Sequence, residues 1–236
     1  MKNIFILTCF LFNSVLNFAQ NIRDFSAEKF NDALKNNTGI ILDVRTSKEL
    51  SSGIIKNAST IDFYDKRFKS KVSKIQKEKT IFVYCRSGSR SYQACKILID
   101  LGFTDVVNLK GGIVSWKKLG YPLEDVVISD SEETQQLSVS DFEQVLRKNN
   151  VVFIDFHTLW CVPCRKLSPV IDALKNEYKS KVLIERINID NNIALSNFYN
   201  ISSVPTLVLF KNSKEIWRYN GIISKFEIKK LLDTNL

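Results

Sequence analysis

The chain of 236 residues holds a single histidine, His157. That excludes every site that needs two imidazoles, such as zinc sites with His-x-x-x-His spacing and the two-histidine copper and iron centres. Cysteine is also scarce. Cys9, Cys85, Cys95, Cys161 and Cys164 are the only five, too few for a scaffold stapled by disulfides at this length. No second Cys-x-x-Cys accompanies Cys161 and Cys164 to complete four thiol ligands for a structural zinc. After the first twenty positions there is no apolar run of the roughly 20 residues that a bilayer-spanning helix needs. The net charge is +9, yet no nucleic-acid-binding motif goes with it. What chemistry there is should run through a few thiols, with no metal, no cofactor and no nucleic-acid partner.

What is present begins with a leader pattern. Lys2 precedes the apolar run Ile4–Phe12, which Asn13 and Ser14 interrupt, and the stretch closes at Ala19-Gln20. A positive start, a short apolar middle and a small-residue end read as a cleavable secretory signal over residues 1–20. Cys9 should leave with it. The mature chain is expected to be exported, to the periplasm or beyond the cell, without stable membrane insertion.

Apolar residues make up 44%, enough for a packed core. At about 100–200 residues per domain the length allows one or two domains, and the composition divides it in two. Residues 126–136 are polar, acidic and aperiodic, a linker signature. They separate residues 21–125, which carry the basic excess, from residues 137–236, which are nearly neutral. In the first half, Ser26 is a candidate N-cap before a helix bearing Phe30, Ala33 and Leu34. Buried strands are expected at 39–44, 81–84 and 105–109, with a helix over 91–101. The second half alternates likewise, with helices at 141–148, 164–178, 193–199 and 225–232. Its strands are expected at 151–156, 182–189, 206–210 and 215–219. Strands alternating with helices argue for α/β domains, the first around a parallel sheet.

Thiols sit where strand meets helix in both halves. Tyr84-Cys85-Arg86-Ser87-Gly88-Ser89-Arg90-Ser91 follows one strand and opens a helix. Small residues there let backbone N–H groups converge into an anion-binding nest, which lowers a thiol pKa; Arg86 and Arg90 add positive charge. Phosphatases and arsenate reductases place arginine six residues after the cysteine, where this chain has Ser91; the arginine comes one residue early, at Arg90. The tighter loop suits a single sulfur atom. Cys95 lies one long helical stretch beyond Cys85, too far to pair with it, and is expected to pack in the core.

Over residues 22–124 the chain resembles the rhodanese family. The resemblance rests on Leu42-Asp43-Val44-Arg45-Thr46 with Glu49-Leu50, the CRSGSR loop at 85–90, and Leu109-Lys110-Gly111-Gly112-Ile113-Val114-Ser115-Trp116 with Gly120-Tyr121-Pro122-Leu123. It implies that Cys85 carries sulfane sulfur as a persulfide in a cradle of Arg86, Ser87, Gly88, Ser89 and Arg90. It also implies that Asp43 and Arg45 tie a strand end to neighbouring loops. Where the family usually has His-Ile-Pro-Gly-Ala, this chain has Ile54-Ile55-Lys56-Asn57-Ala58.

Trp160-Cys161-Val162-Pro163-Cys164 brings two thiols to a helix start, where they can close a disulfide and where the first is stabilised as thiolate. With Phe153-Ile154-Asp155-Phe156, Arg186-Ile187-Asn188-Ile189-Asp190, Val204-Pro205-Thr206 and Gly221, residues 137–236 resemble thioredoxin. The resemblance implies a redox disulfide between Cys161 and Cys164, with Cys161 the exposed nucleophile and Cys164 the resolving thiol. It makes Asp155, desolvated in an apolar strand, either the acceptor of the Cys164 proton or an anchor for the strand. Pro205 would follow a cis bond, and Trp160, Val204 and Pro205 would bind partners. His157 takes a position where thioredoxins often have tryptophan, either touching the dithiol or serving as a surface or packing residue. A basic cluster at Lys66, Arg67, Lys69, Lys71, Lys74, Lys77 and Lys79 reads as a solvated helix face, with Val72 and Ile75 on the buried side.

Together these imply a sulfurtransferase coupled to thiol–disulfide exchange. Its partners would be a small sulfur donor such as thiosulfate or a persulfide, and thiol or disulfide proteins including an electron donor. The other reading is an exported disulfide reductase whose first domain only docks partners.

Overall fold

The computed structural model describes residues 22–36, 38–125 and 136–236. The signal expected over 1–20, Cys9 within it, and the linker expected over 126–136, apart from Gln136, lie outside the described residues.

The first half runs β1 (Arg23–Phe25), α1 (Ala27–Asn36), β2 (Ile40–Asp43), α2 (Ser47–Leu50), β3 (Ala58–Thr60), α3 (Phe68–Val72), β4 (Ile81–Tyr84), α4 (Ser89–Asp100), β5 (Val106–Leu109) and α5 (Gly112–Lys118). Its strands form a five-stranded sheet in the order β1-β5-β4-β2-β3, parallel throughout. Strand β4 is central and buried along its whole length. It therefore reads as a continuous apolar run, Ile-Phe-Val-Tyr, rather than an alternation. Helices α3 and α4 supply Phe68, Val72, Ala94 and Leu98 to one face of the sheet, beside Leu42, Val83 and Cys85. Helices α1 and α5 supply Phe30 and Trp116 to the other, beside Phe82 and Tyr84. Ordering the strands this way puts the end of β4, and so Cys85, in the middle of the sheet's carboxyl edge, where ligands of parallel sheets bind.

Asn57 takes φ 64°, the left-handed region that glycine or asparagine tolerates best. Ile54 and Ile55 are buried.

The second half runs α6 (Val139–Lys148), β6 (Val151–His157), α7 (Val162–Glu177), β7 (Leu183–Asn188), α8 (Ile193–Phe198), β8 (Thr206–Lys211), β9 (Lys214–Asn220) and α9 (Lys225–Asn235). Its four-stranded sheet is ordered β7-β6-β8-β9 and is mixed. Strand β7 lies parallel to β6, whereas β8 is antiparallel to both β6 and β9. The β8–β9 hairpin turns on Asn212 and Ser213, both at positive φ, as tight antiparallel hairpins require. Ser138 and Ser224 cap α6 and α9, each accepting a hydrogen bond from the third helical amide. The apolar surface of Val72 and Ile75 in the first half continues into Trp160, Cys161 and Val204 of the second, so the two halves share a packed seam. Among the described residues, no helix is long and apolar enough to cross a membrane.

Candidate active site

Cys85 is fully buried at the start of the β4–α4 loop. The Gly88 N–H donates to its Sγ at 3.1 Å, and the Ser91 hydroxyl stands 3.5 Å from Sγ and 3.1 Å from the Gly88 carbonyl. Burial opposes ionisation of the thiol. Hydrogen bonds from the Ser91 hydroxyl and from the Ser91, Ser87 and Gly88 amides outweigh it and lower the Cys85 pKa from its ordinary value. Gly88 adopts φ 96°, which turns the loop amides inward and which residues with a Cβ rarely reach. The loop is held from behind as well. Ile113 and Val114, at the start of α5, donate their N–H groups to the Cys85 and Arg86 carbonyls at 2.8 and 3.2 Å. A Cβ on Gly112 would stand 2.5 Å from both of those oxygens, so the glycine permits the close approach. Ser87, Gly88 and Ser89 line an open depression of about 470 Å³ with Tyr92 and Lys110 on its rim.

The two loop arginines differ. Arg86 is exposed. Arg90 gives both terminal nitrogens to Glu49, at 2.6 and 2.8 Å, and holds the Glu49 carboxyl down at about 2. Arg90 thus braces the loop against α2. Arg45 and Asp43 form a pair buried to 2% exposure or less, with contacts of 2.6–3.0 Å. Arg45 also donates to the Glu49 and Gly53 carbonyls, tying the end of β2 to the following loop as the resemblance implies. Cys95 is buried in α4 with its thiol unpaired, and burial holds it protonated, far above the usual thiol range.

Cys161 is the N-cap of α7, and its Sγ accepts from the Cys164 N–H at 3.2 Å. The two cysteines form a disulfide with Cα atoms 5.3 Å apart. Pro163 falls in the first helical turn, where no N–H is needed. Trp160 Nε1 donates to Asp190 Oδ2 at 2.9 Å, and the Val204–Pro205 bond is cis. One expectation is overturned. Cys161 is not exposed: it retains 3% of its surface, and Cys164 none. The cause is the first half of the chain. The Val162 N–H donates to Ser59 Oγ on β3 at 3.1 Å, and the Val204 N–H donates to the Lys74 carbonyl at 2.9 Å.

Asp155 is fully buried on β6 and accepts from Arg186 Nε at 3.3 Å. His157 ends the same strand with 1% exposure, its Nδ1 lying 3.4 Å from Arg186 Nη2. Burial, and then the Arg186 charge, push the His157 pKa down to about 3 against an opposing bond to the Thr158 backbone. The imidazole is therefore neutral at ordinary pH and packed inside.

The Rhodanese-like domain family model matches residues 26–119, and the Thioredoxin family model matches residues 133–234. Thioredoxin of Buchnera aphidicola subsp. Acyrthosiphon pisum is 39% identical over 94 residues, 40% of this chain and 87% of that protein. The chain belongs to the thioredoxin family. Thioredoxin of Chlamydia caviae is 43% identical over 83 residues, 35% of this chain and 80% of its own length. A solved mutant thioredoxin from Halobacterium salinarum NRC-1 is 29% identical, with a TM-score of 0.40, covering 43% of this chain and 88% of that one. A rhodanese-like domain thus precedes a thioredoxin domain, and the pair supports thiol–disulfide redox and sulfurtransferase-type chemistry in general.

The two thiol sites of this thioredoxin-family chain are not bonded to one another: Cys85 Sγ lies against Gly88 and Ser91, while Cys161 and Cys164 are joined in their own disulfide. Leu42 pairs in register with both Ser59 and Val83, and Cys85 lies two residues past Val83. At about 4.8 Å between strands and 3.3 Å per residue, the Cα atoms of Ser59 and Cys85 are roughly 12 Å apart. The dithiol segment is bonded to the rhodanese-like sheet at Ser59, on its β3 edge. The basic cluster is also corrected. Helix α3 ends at Val72. Beyond it Lys74 donates to the Ile201 carbonyl, while Arg67 donates to the Asp190 carbonyl at 3.2 Å. Both reach the thioredoxin domain, Arg67 while still exposed and Lys74 partly buried, and burial lowers the Lys74 pKa. Ser59, Lys74 and Arg186 have no local sequence signal of function. Ser91 and Gly112 do, because they complete the loop and the Gly-Gly turn.

Proposed function

We propose that the chain is a sulfurtransferase whose Cys85 persulfide is discharged by the Cys161/Cys164 dithiol. The Cys85 thiolate attacks the outer sulfur of a donor such as thiosulfate. An S–S bond forms, and sulfite leaves with the electron pair of the broken bond. The Cys161 thiolate then takes that sulfur as its own persulfide, and Cys85 leaves as thiolate. Cys164 attacks the Cys161 Sγ, closing the disulfide and releasing hydrosulfide. The dithiol loses two electrons and the sulfane sulfur gains them. A thiol protein or other external reductant reopens the disulfide.

The observation that carries this reading is the hydrogen-bonded Cys85 Sγ, stabilised as thiolate by Gly88 and Ser91, in one chain with a Cys-x-x-Cys disulfide at a helix start. In it, Arg86, Ser87, Gly88, Ser89 and Arg90 form the sulfur cradle, and Asp155 takes the Cys164 proton. Trp160, Val204 and Pro205 border the groove that receives thiol partners. The leader pattern at 1–20 supports work in the periplasm. With Cys85 and Cys161 both buried and not bonded to one another, transfer within one molecule requires the domains to move relative to each other. A tether gives effective concentrations of order millimolar for such a step.

The contact of Val162 and Val204 with the first domain favours a second reading, a disulfide reductase whose rhodanese-like domain serves only as a docking module. Thiosulfate-to-cyanide sulfur transfer separates the two. The first reading expects activity that Cys85→Ser abolishes; the second expects none in either protein.

A further inference from the structure

The thioredoxin dithiol is covered by the protein's own first domain, and the covering contacts are specific. Val162 lies between the two cysteines, and its N–H is bonded to Ser59 Oγ. Val204 precedes the cis proline, and its N–H is bonded to the carbonyl of Lys74. The Lys74 ammonium, partly buried, reaches on to the Ile201 carbonyl, and Arg67 reaches the Asp190 carbonyl in the segment that also holds Trp160. Residues 67–76, the short helix α3 and the turn after it, thus lie against the dithiol segment as a basic element, anchored by one backbone bond and two cationic side chains. Under this cover Cys161 retains 3% of its surface and Cys164 none, so the docked form leaves a partner's thiol no open approach to either sulfur.

At its other end the seam keeps an open pocket of about 300 Å³ lined by Thr38, Asn57 and Ser59 of the first domain and Val162 and Lys166 of the second.

The geometry points to self-occlusion: residues 67–76 of the rhodanese-like domain are the resident occupant of the thioredoxin groove, so the docked protein is closed to outside thiols and disulfides and reacts only after the domains part. A partner segment that pairs with the Val204 amide must first displace Lys74. The closed form therefore sets the rate at which any partner gains access, whichever chemistry the dithiol then performs. The inference does not rest on sulfur transfer from Cys85.

The test uses the full chain, with a variant carrying Arg67→Glu and Lys74→Glu. Neither residue belongs to the thiol sites, and the new carboxylates face the Asp190 and Ile201 carbonyls. After reduction, the alkylation rate of Cys161 is followed by peptide mass analysis, and amide exchange is read at Val204. In the original chain Val204 should be protected and Cys161 slow. In the variant Val204 should lose protection while β6 and β8 keep theirs, and Cys161 should react at least about tenfold faster, the factor by which a 10:1 closed population suppresses a reactive open one. Equal alkylation rates in the two proteins would overturn the inference. So would rapid Val204 exchange in the original chain. Should the variant lose protection in β6 and β8, marking misfolding, the decisive measurement is Val204 protection in the original chain together with the milder Lys74→Gln, which keeps the backbone bond and removes the cation.

Discussion

Ser91→Ala is the sharpest perturbation of the cradled thiol. A hydrogen bond to a charged group contributes about 1.5–3 kcal/mol. The Ser91 hydroxyl stands at 3.5 Å from Sγ and has one proton to divide between Sγ and the Gly88 carbonyl, so roughly half of the lower figure applies. At 1.36 kcal/mol per unit this is a rise of about 0.5 in the Cys85 pKa. The loop should survive, because the Gly88 carbonyl also accepts from the Tyr92 amide at 3.1 Å and is not orphaned by the change. The assay is the pH profile of Cys85 alkylation in the disulfide form of the protein, resolved by peptide. There Cys161 and Cys164 are tied up and Cys95 is held protonated. Below both pKa values the rate should fall about three- to fourfold, and the midpoint should move up with it. An unchanged profile would refute the reasoning that this hydroxyl stabilises the thiolate.

Two further outcomes follow from the buried groups. His157 is neutral when folded, with its pKa lowered from 6.5 to about 3, so between those values the unfolded chain binds a proton that the folded chain does not. Stability should therefore fall on acidification from pH 7 to 5 by up to about 2 kcal/mol, before carboxylates contribute, and His157→Phe should flatten that slope in urea titrations; an identical slope would rule the histidine out. Gly112→Ala places a Cβ 2.5 Å from the Cys85 and Arg86 carbonyls at φ 57°. It should abolish sulfurtransferase activity and lower the melting temperature, while Gly102→Ala, with no atom within 4 Å of its Cβ, should carry only the strain of its positive φ.

Much of the fold was legible because its strands are buried runs. Ile81–Tyr84 reads identically in sequence and structure, and β6 and β8 differ from their expected spans by one residue at one end. Strands β1 and β3 were not legible: Arg23-Asp24-Phe25 and Ala58-Ser59-Thr60 are three residues each and carry no apolar pattern, existing only because β5 and β2 offer them an edge. The thiols were legible from their loops, since nest and N-cap geometry are local. What covers them was not. A serine on an edge strand and a lysine after a short helix look like surface residues until the second domain is placed, and Cys161, expected to be exposed, is buried by that non-local contact. His157 stayed open between two roles because its environment is set by Arg186 on the neighbouring strand, a partner that no local pattern selects.

The central claim is that sulfur passes from Cys85 to Cys161. The most direct measurement uses the reduced Cys164→Ser protein, incubated with thiosulfate and mapped by peptide mass. Without the resolving thiol, the account predicts one added sulfur accumulating on the Cys161 peptide, and none there when Cys85→Ser is added to the same background. Sulfur that stays on Cys85 alone, or that reaches Cys161 equally well without Cys85, would contradict it.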